Sequence, residues 1–342
     1  MTKKILITGG AGFIGSNYAR HRIMNGDNVT IYDNLSRNGA KENLDWISST
    51  THKKPFNFIE GDVRDYEMLM SVVGGKDIII HLAAQVAVTT SVADPQFDFS
   101  VNAAGTFNVL EAARECGEKP LVIYASTNKV YGEIEDIAVV EGETRYIFTN
   151  LPAGISENQL LDFHSPYGCS KGCGDQYVKD YSRIYNIPTV VFRQSCIYGK
   201  RQFGIEDQGW VAWFVIAAVM GKPITIYGDG KQVRDLLFID DLMNVYDLAI
   251  ERKEDVKGLV FNIGGGIENS ISIWREFGPT LEKIHGKKIP VAIEEWRPGD
   301  QKIYISDISK ARNYFGWYPK ISVEKGLSFL YQWVTENKEL FA

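Results

Sequence analysis

Tyr167 and Lys171, four residues apart in the stretch "HSPYGCSK" (164–171), have the side-chain types of an acid–base couple. On a helix, positions i and i+4 lie roughly 5–6 Å apart, near enough for an ammonium to act on a phenol. A free tyrosine, with a pKa of about 10, is a poor base at neutral pH. A neighbouring cation favours the phenolate and lets it accept a proton. Any helix produces this spacing, so the pair alone leaves open whether it is catalytic or two side chains sharing a face. The decision rests on what surrounds it, above all the hydroxyl of Thr127 in "ASTNKVYG" and the glycines of "TGGAGFIGSN".

The glycine cluster follows a short apolar, β-branched run and precedes a segment able to continue as a helix, so strand, tight turn and helix are expected in that order. Gly9, Gly12 and Gly15 form GxxGxxG, the pattern in which missing Cβ atoms let the backbone turn, approach a pyrophosphate and pack helix on strand. The helix N-terminus then offers free N–H groups to the phosphates. A second strand, "NVTIYD", ends in Asp33, eighteen residues beyond Gly15, where dinucleotide folds place the carboxylate that takes an adenosine ribose. A 2′-phosphate beside that carboxylate meets like charge, so NAD is favoured over NADP. Arg37 is the counter-signal, because an arginine there can pair with a 2′-phosphate.

Further strand-like runs, "FNFIEGD", "DIIIHLAA", "PLVIYAS" and "PTVVFRQ", alternate with helix-length segments. That alternation implies right-handed βαβ crossovers and an α/β fold with a Rossmann-like, doubly wound parallel sheet. Ligands of such sheets bind beyond the carboxyl ends of the strands. Asp62 and Val63, Leu82, Ala83, Ala84 and Gln85, and Ser126 and Thr127 all fall there. Past Arg193 the alternation breaks into short strands, turns and aromatic-rich helices, read as a smaller mixed α/β lobe. The runs "DLLFIDDLMNVYDLAI" and "GLVFNIGG" are expected to return to the sheet. The division is therefore 1–193 plus about 235–265 for the dinucleotide domain, and 194–234 plus 266–342 for a discontinuous substrate lobe.

Composition narrows the partners. A formal charge of −6 over 342 residues argues against nucleic acid, whose phosphates need a clustered basic surface. Cys116, Cys169, Cys173 and Cys196 form no CxxC pair, and no signal-peptide pattern is present, so reduced thiols in a cytoplasm are expected. Cys169 and Cys173 have no further ligands at metal spacing, and no metal is expected. Apolar runs are strand-length, too short to span a bilayer.

Together these parts resemble the extended short-chain dehydrogenases/reductases that modify nucleotide sugars, over essentially the whole chain. "TGGAGFIG" is similar to the family's dinucleotide loop, "NAAGT" to its structural Asn102 motif, "ASTNKVYG" to its active-site strand end and "YGCSK" to its Tyr-x-x-x-Lys. The resemblance implies that Tyr167 is the acid–base, that Lys171 holds the nicotinamide ribose and that Thr127 bonds the reacting oxygen. Tightly held NAD is implied, with contacts from Gly9, Gly12, Phe13, Ile14, Gly15, Asp33, Asn34, Ser36, Arg37, Asp62, Val63, Leu82, Ala83, Ala84, Asn102, Tyr167 and Lys171. Positive charge from Lys171 and the oxidised nicotinamide is expected to favour the Tyr167 phenolate. A homodimer or homotetramer is implied, through helices flanking the tyrosine.

Residues 127–129 divide the family. Its 4,6-dehydratases carry Thr-Asp-Glu there, acid and base for eliminating water, whereas this chain has Thr127-Asn128-Lys129. Neither Asn nor Lys replaces a carboxylate pair, so a dehydratase is not expected. The segments "DNLSRNGAKENLDW", "LDFHSPYGCSKG", "RQFGIEDQGWVAWF" and "GDGKQVRD" resemble the family of CDP-paratose 2-epimerases, which implies inversion of C2 in a CDP-linked hexose. Arg234 and Arg297 would then clamp the diphosphate. Gln202, Phe203 and Gln208 are candidates for the cytosine and ribose, and Gln85, Asn128 and Ser195 for other substrate contacts. Two other readings are a 4-epimerase of UDP-hexoses and a non-catalytic NAD-binding regulator; such regulators usually lose the tyrosine or the lysine, and both are present here.

Overall fold

The computed structural model describes residues 2–52, 54–297 and 300–342. Pro298 and Gly299 of the "WRPGD" segment lie outside the described residues.

The chain divides into two compact units, each built from three stretches. The first comprises Met1–Val130, Ser165–Arg193 and Met243–Phe261. Its strands β1 (Lys4–Thr8), β2 (Asn28–Asp33), β3 (Asn57–Glu60), β4 (Ile78–His81) and β5 (Leu121–Thr127) are joined by the strands Thr189–Gln194 and Leu259–Ile263. The seven lie in the order Leu259–Ile263, Thr189–Gln194, β5, β4, β1, β2, β3. β1 pairs in parallel with both β2 and β4, β2 with β3, and β4 with β5. Strands such as "IIIH" are buried on both faces, which is why they read as continuous apolar runs.

The chain leaves β1 for β2 and β3, then returns to the other side of β1 at β4. Between β1 and β4 the direction of winding reverses, the place where doubly wound sheets take their ligands. Helix α1 (Phe13–Met24) begins directly after the glycine loop, and the helix Ser165–Tyr185 packs on β5. Leu6, Ile79, Val109, Leu110, Val122, Tyr124, Val178 and Val191 share one apolar core.

The second unit comprises Tyr131–His164, Gln194–Leu242 and Asn262–Ala342. This division differs from the sequence expectation in two places. Residues 131–164 join the second unit because Ile155 N–H donates to Ile305 O at 2.7 Å and the Asn262 side chain donates to Ile155 O at 2.8 Å. The expected return of "DLLF" to the parallel sheet does not occur. The strand Val233–Phe238 pairs instead with Ser270–Ser272, Ile303–Tyr304 and Cys196–Tyr198, while "LVFNI" does join the large sheet. All six residues of Val233–Phe238 are buried, so periodicity alone cannot say which sheet covers them.

Candidate active site

Each side chain of the couple is placed by the packing of Ser165–Tyr185 on β5. Tyr167 and Lys171 are 9% and 4% exposed, and Thr127 at the end of β5 is 7% exposed. The helix start is pinned twice: Ser165 Oγ accepts the Gly168 N–H at 3.3 Å, and Tyr167 N–H donates to Ser91 Oγ at 3.1 Å. The Thr127 side chain acts on the Tyr167 phenol and lowers it. Thr127 Oγ1 also accepts the Lys129 N–H at 3.3 Å and lies 3.3 Å from Asn128 Oδ1. Lys171 Nζ stands 4.2 Å from the centre of the Tyr124 ring, a cation–π contact inside the protein.

Burial dominates the electrostatics of the couple. It pushes Tyr167 up to about 12, against the lowering effect of Thr127 and Arg37 and with Asp98 raising it further. It brings Lys171 down to about 7, with Asp175 and Asp98 opposing the fall. The expected phenolate bias is therefore not a property of the protein alone, because desolvation outweighs nearby charge. Losing one proton yields either a neutral lysine beside a phenol or an ammonium beside a phenolate.

Behind Lys171, Asp175 is held by Arg193 through two bonds of 2.9 Å and by Ser126 Oγ at 2.8 Å. Neither Arg193 nor Asp175 carried a signal in the sequence beyond lying in a strand and a helix. His81 and Tyr124 were likewise missed. Asp98 had one signal: it stands one helical turn before Asn102 in "DPQFDFSVN".

The glycine loop has the form a dinucleotide requires. A Cβ at Gly15 would stand 2.2 Å from Gly9 O, and one at Gly9 would stand 2.6 Å from Ala83 N, so both are needed for packing. A Cβ at Gly12 would meet only Gly9 O, at 3.2 Å, which leaves that side open to a phosphate. Asp33 accepts the Ala11 N–H at 3.0 Å and the Leu35 N–H at 2.8 Å, which tie it to the loop. Its carboxylate has lone pairs to spare for the two hydroxyls of a ribose.

Asn34 donates to Asp62 at 2.9 Å and its oxygen takes the Ser36 N–H at 3.1 Å. Asp62, also held by Arg64, is brought down to about 2. Val63 is buried; Phe13 and Ile14 at the start of α1, and Leu82, Ala83 and Ala84 after β4, are half-buried. Arg37, the counter-signal to NAD in the sequence, is exposed as a residue, and its charge acts on the Tyr167 phenol. Asn102 lies in a π-helical turn, Ser100–Ala104, and exchanges two 2.9 Å bonds with the backbone of Gln85. The Gln85 amide donates to Asp98 and to Ala87 O, so that side chain is committed within the protein.

The second unit holds the other expected substrate residues. Ser195 Oγ donates to the Asp235 carboxylate, which is fully buried. Arg234 is buried and donates to Val233 O at 2.8 Å. Arg297 lies 3.7 Å over the Tyr227 ring with Asp207 at 3.3 Å. Phe203 packs on Trp333 and Phe341. Gln202 is 7% exposed, and its Oε1 has no protein partner among the described residues; the indole N–H groups of Trp210 and Trp213 are in the same state. The backbone N–H of Gln208 donates to Ile205 O at 3.0 Å. Among the described residues no group of acids, histidines and cysteines is placed to hold a metal, and no helix is long and apolar enough to cross a membrane.

The model of the GDP-mannose 4,6-dehydratase family matches residues 6–329. The chain belongs to that family. Its members are extended short-chain dehydrogenases/reductases, and they use NAD. Among relatives, CDP-paratose 2-epimerase of Salmonella typhi is 44% identical over 339 residues, spanning 97% of this chain and 99% of the relative. The structure of UDP-glucose 4-epimerase from Thermotoga maritima with UDP-glucose superposes with a TM-score of 0.83 at 30% identity, covering 98% of this chain and 99% of that one. UDP-glucose 4-epimerase of Thermus thermophilus in complex with NAD gives a TM-score of 0.79 at 28% identity, over 96% and 98% of the two chains. A family named for dehydratases thus includes a chain whose β5 end lacks the dehydratase carboxylates.

Proposed function

We propose that the protein is an NAD-dependent 2-epimerase of a CDP-linked hexose, converting a CDP-paratose-type sugar to its CDP-tyvelose-type epimer. The observation that carries this reading is the 44% identity to a CDP-paratose 2-epimerase across 97% of the chain. The site chemistry is consistent with it: a phenol, an amine and a hydroxyl suit oxidation of an alcohol, and Asn128 and Lys129 supply no acid–base pair for eliminating water.

Bound NAD supplies a reversible acceptor for hydride. Tyr167 takes the proton of the C2 hydroxyl while Thr127 holds the oxygen, and Lys171 makes the charge on the phenolate tolerable. The 2-keto sugar so formed would turn over in place, and reduction on its opposite face, with the proton from Tyr167, would give the epimer. Turning requires a firm hold on the nucleotide end, assigned to Arg234 and Arg297. Gln202, with its unpartnered buried oxygen, is assigned to the nucleotide. The glycine loop, Asp33 and Lys171 would hold NAD through the whole cycle. The protein is assigned to the cytoplasm.

We assign assembly as a homodimer to the face formed by the helices Gly105–Glu115 and Ser165–Tyr185. Phe107, Tyr177, Ile184 and Tyr185 are all more than 40% exposed there, an apolar patch of the kind that marks an interface. Light scattering on Tyr177→Glu/Ile184→Glu should read a monomer.

The deciding experiment incubates the protein without added NAD with CDP-paratose deuterated at C2, and separately with UDP-galactose. Conversion to CDP-tyvelose with the deuterium kept at C2 supports direct C2 oxidation. Reaction of UDP-galactose alone would establish the second reading, a UDP-hexose 4-epimerase, which the likeness to the Thermotoga maritima enzyme favours.

A further inference from the structure

The carboxylate of Asp98 has no part in the roles above, and it is one of the most enclosed charges near the couple. It sits on the short helix Pro95–Phe99 and is 0% exposed. Ser170 Oγ donates to it at 2.5 Å, Gln85 Nε2 at 2.9 Å and Asn102 Nδ2 at 3.0 Å. All three donors are neutral. Ser170 directly precedes Lys171, Asn102 belongs to the π-helical turn, and Asn102 Nδ2 also reaches Ser170 Oγ at 3.1 Å. The network therefore joins that turn to the helix that carries the couple.

A buried carboxylate held only by neutral donors is costly to ionise unless a cation lies near. Burial raises the Asp98 carboxyl, and its three donors together with the charge of Lys171 oppose that rise. Asp175, the other acid beside Lys171, differs in this respect. Arg193 already compensates its charge through a bidentate pair.

We propose that Asp98 is a positioning residue for Tyr167 and Lys171: its ionised carboxylate fixes Ser170 and Asn102 and supplies buried negative charge that opposes proton loss from either group. The assignment rests on the acid–base reading of that couple.

The direction of its effect does not depend on which member of the couple is deprotonated. Negative charge opposes proton loss from an amine and from a phenol alike, and Asp98 raises both groups. The other groups facing the couple are fixed around it. Lys171 meets Asp175 from its own helix, the Tyr124 ring from β5 and neutral His81 from β4; Tyr167 meets Thr127 from β5 and Arg37 from the loop after β2. Removing the charge at position 98 alone therefore moves the couple's first deprotonation to lower pH, by about one unit for a charge at such range.

The test compares wild type, Asp98→Asn and Ser170→Ala as NAD-loaded holoenzymes. The pH profile of turnover should show its acidic limb about one unit lower in Asp98→Asn and within a few tenths of wild type in Ser170→Ala, which loses a hydrogen bond but keeps the charge. Tyrosinate absorbance, as a difference against Tyr167→Phe, should shift the same way without any sugar. If no sugar turns over even in wild type, the epimerase reading fails and the absorbance still decides the role of Asp98. A limb and an absorbance midpoint that stay in place or rise in Asp98→Asn overturn the proposal, whatever happens to kcat. Should that variant not fold, carboxyl 13C NMR of the wild-type holoenzyme, assigned with Asp98→Glu, must show an ionised Asp98 at neutral pH. A protonated carboxyl there overturns it equally.

Discussion

Acidification should weaken the first unit through one histidine, and the structure specifies how. His81 ends β4 and is 1% exposed. Its Nδ1 lies 2.7 Å from Thr8 Oγ1 and its Nε2 3.0 Å from Thr106 Oγ1. The Thr106 hydroxyl donates its one proton to Asn102 O at 2.6 Å, so Nε2 must carry the hydrogen and Nδ1 must accept from Thr8. Protonating Nδ1 would break the bond it accepts from Thr8, and burial, aided by the charge of Lys171, takes His81 from 6.5 down to about 3.

Between those values the unfolded chain binds a proton that the folded chain refuses, so stability falls as pH drops through that window and is fully present above it. Each unit is worth about 1.4 kcal/mol. At pH 4.5, two units below the unfolded value, the loss is therefore about 2.7 kcal/mol.

His81→Gln isolates this contribution, because glutamine offers a carbonyl to Thr8 and an amide to Thr106 but does not titrate. Hydrogen exchange of amides in β1 and β4, corrected for intrinsic rates, reads the opening free energy of that core. The advantage of wild type over His81→Gln should shrink by about 2.7 kcal/mol between pH 7 and 4.5. Nitrogen-15 NMR of the His81 ring should meanwhile show the Nε2–H tautomer unchanged. A pH-independent difference, or a His81 titration centred near 6.5, refutes the reasoning.

Three other outcomes are expected. Tyr167→Phe should lower turnover by about 10²-fold or more while NAD remains bound on purification, as judged by absorbance of the released cofactor. Arg193→Leu leaves Asp175 buried without its partner and should cost about 3–5 kcal/mol in denaturant unfolding, whereas Asp175→Asn/Arg193→Leu recovers part of that loss. Gly15→Ala forces a Cβ onto Gly9 O and should impair folding, while Gly12→Val should fold and lose NAD, separable by circular dichroism and cofactor content.

Much of the first unit was legible because its signals are local. "ILIT" and "IIIH" announce buried strands, GxxGxxG and Asp33 lie at fixed offsets from them, and Tyr167, Lys171 and Thr127 come together once the helix packs on β5. Position along the chain could not show how far desolvation opposes the phenolate, since that depends on what encloses Tyr167. Arg37 was visible as a cation, but its action on Tyr167 was not, because the two are 130 residues apart in sequence. His81 carried no signal beyond its strand, and Asp98 only its place one turn before Asn102; their character comes from partners supplied by three other segments. In the second unit, Val233–Phe238 carries a strand pattern, but pairing is decided by the strands that flank it rather than by its own residues.

The order of strands in the large sheet has a consequence for synthesis on the ribosome. β1 to β5 can pair as soon as residue 127 is free, but β5 is then an open edge carrying "LVIYAST". Its cover, Thr189–Gln194, emerges some sixty residues later and is itself an edge until Leu259–Ile263 arrives. At about 5–20 residues per second, the interval from β5 to the final strand is on the order of 10 s. Throughout it, the growing chain presents an apolar strand edge that any other extended segment can join. The nascent protein is thus a natural client for a holding chaperone until its last sheet strand has been made.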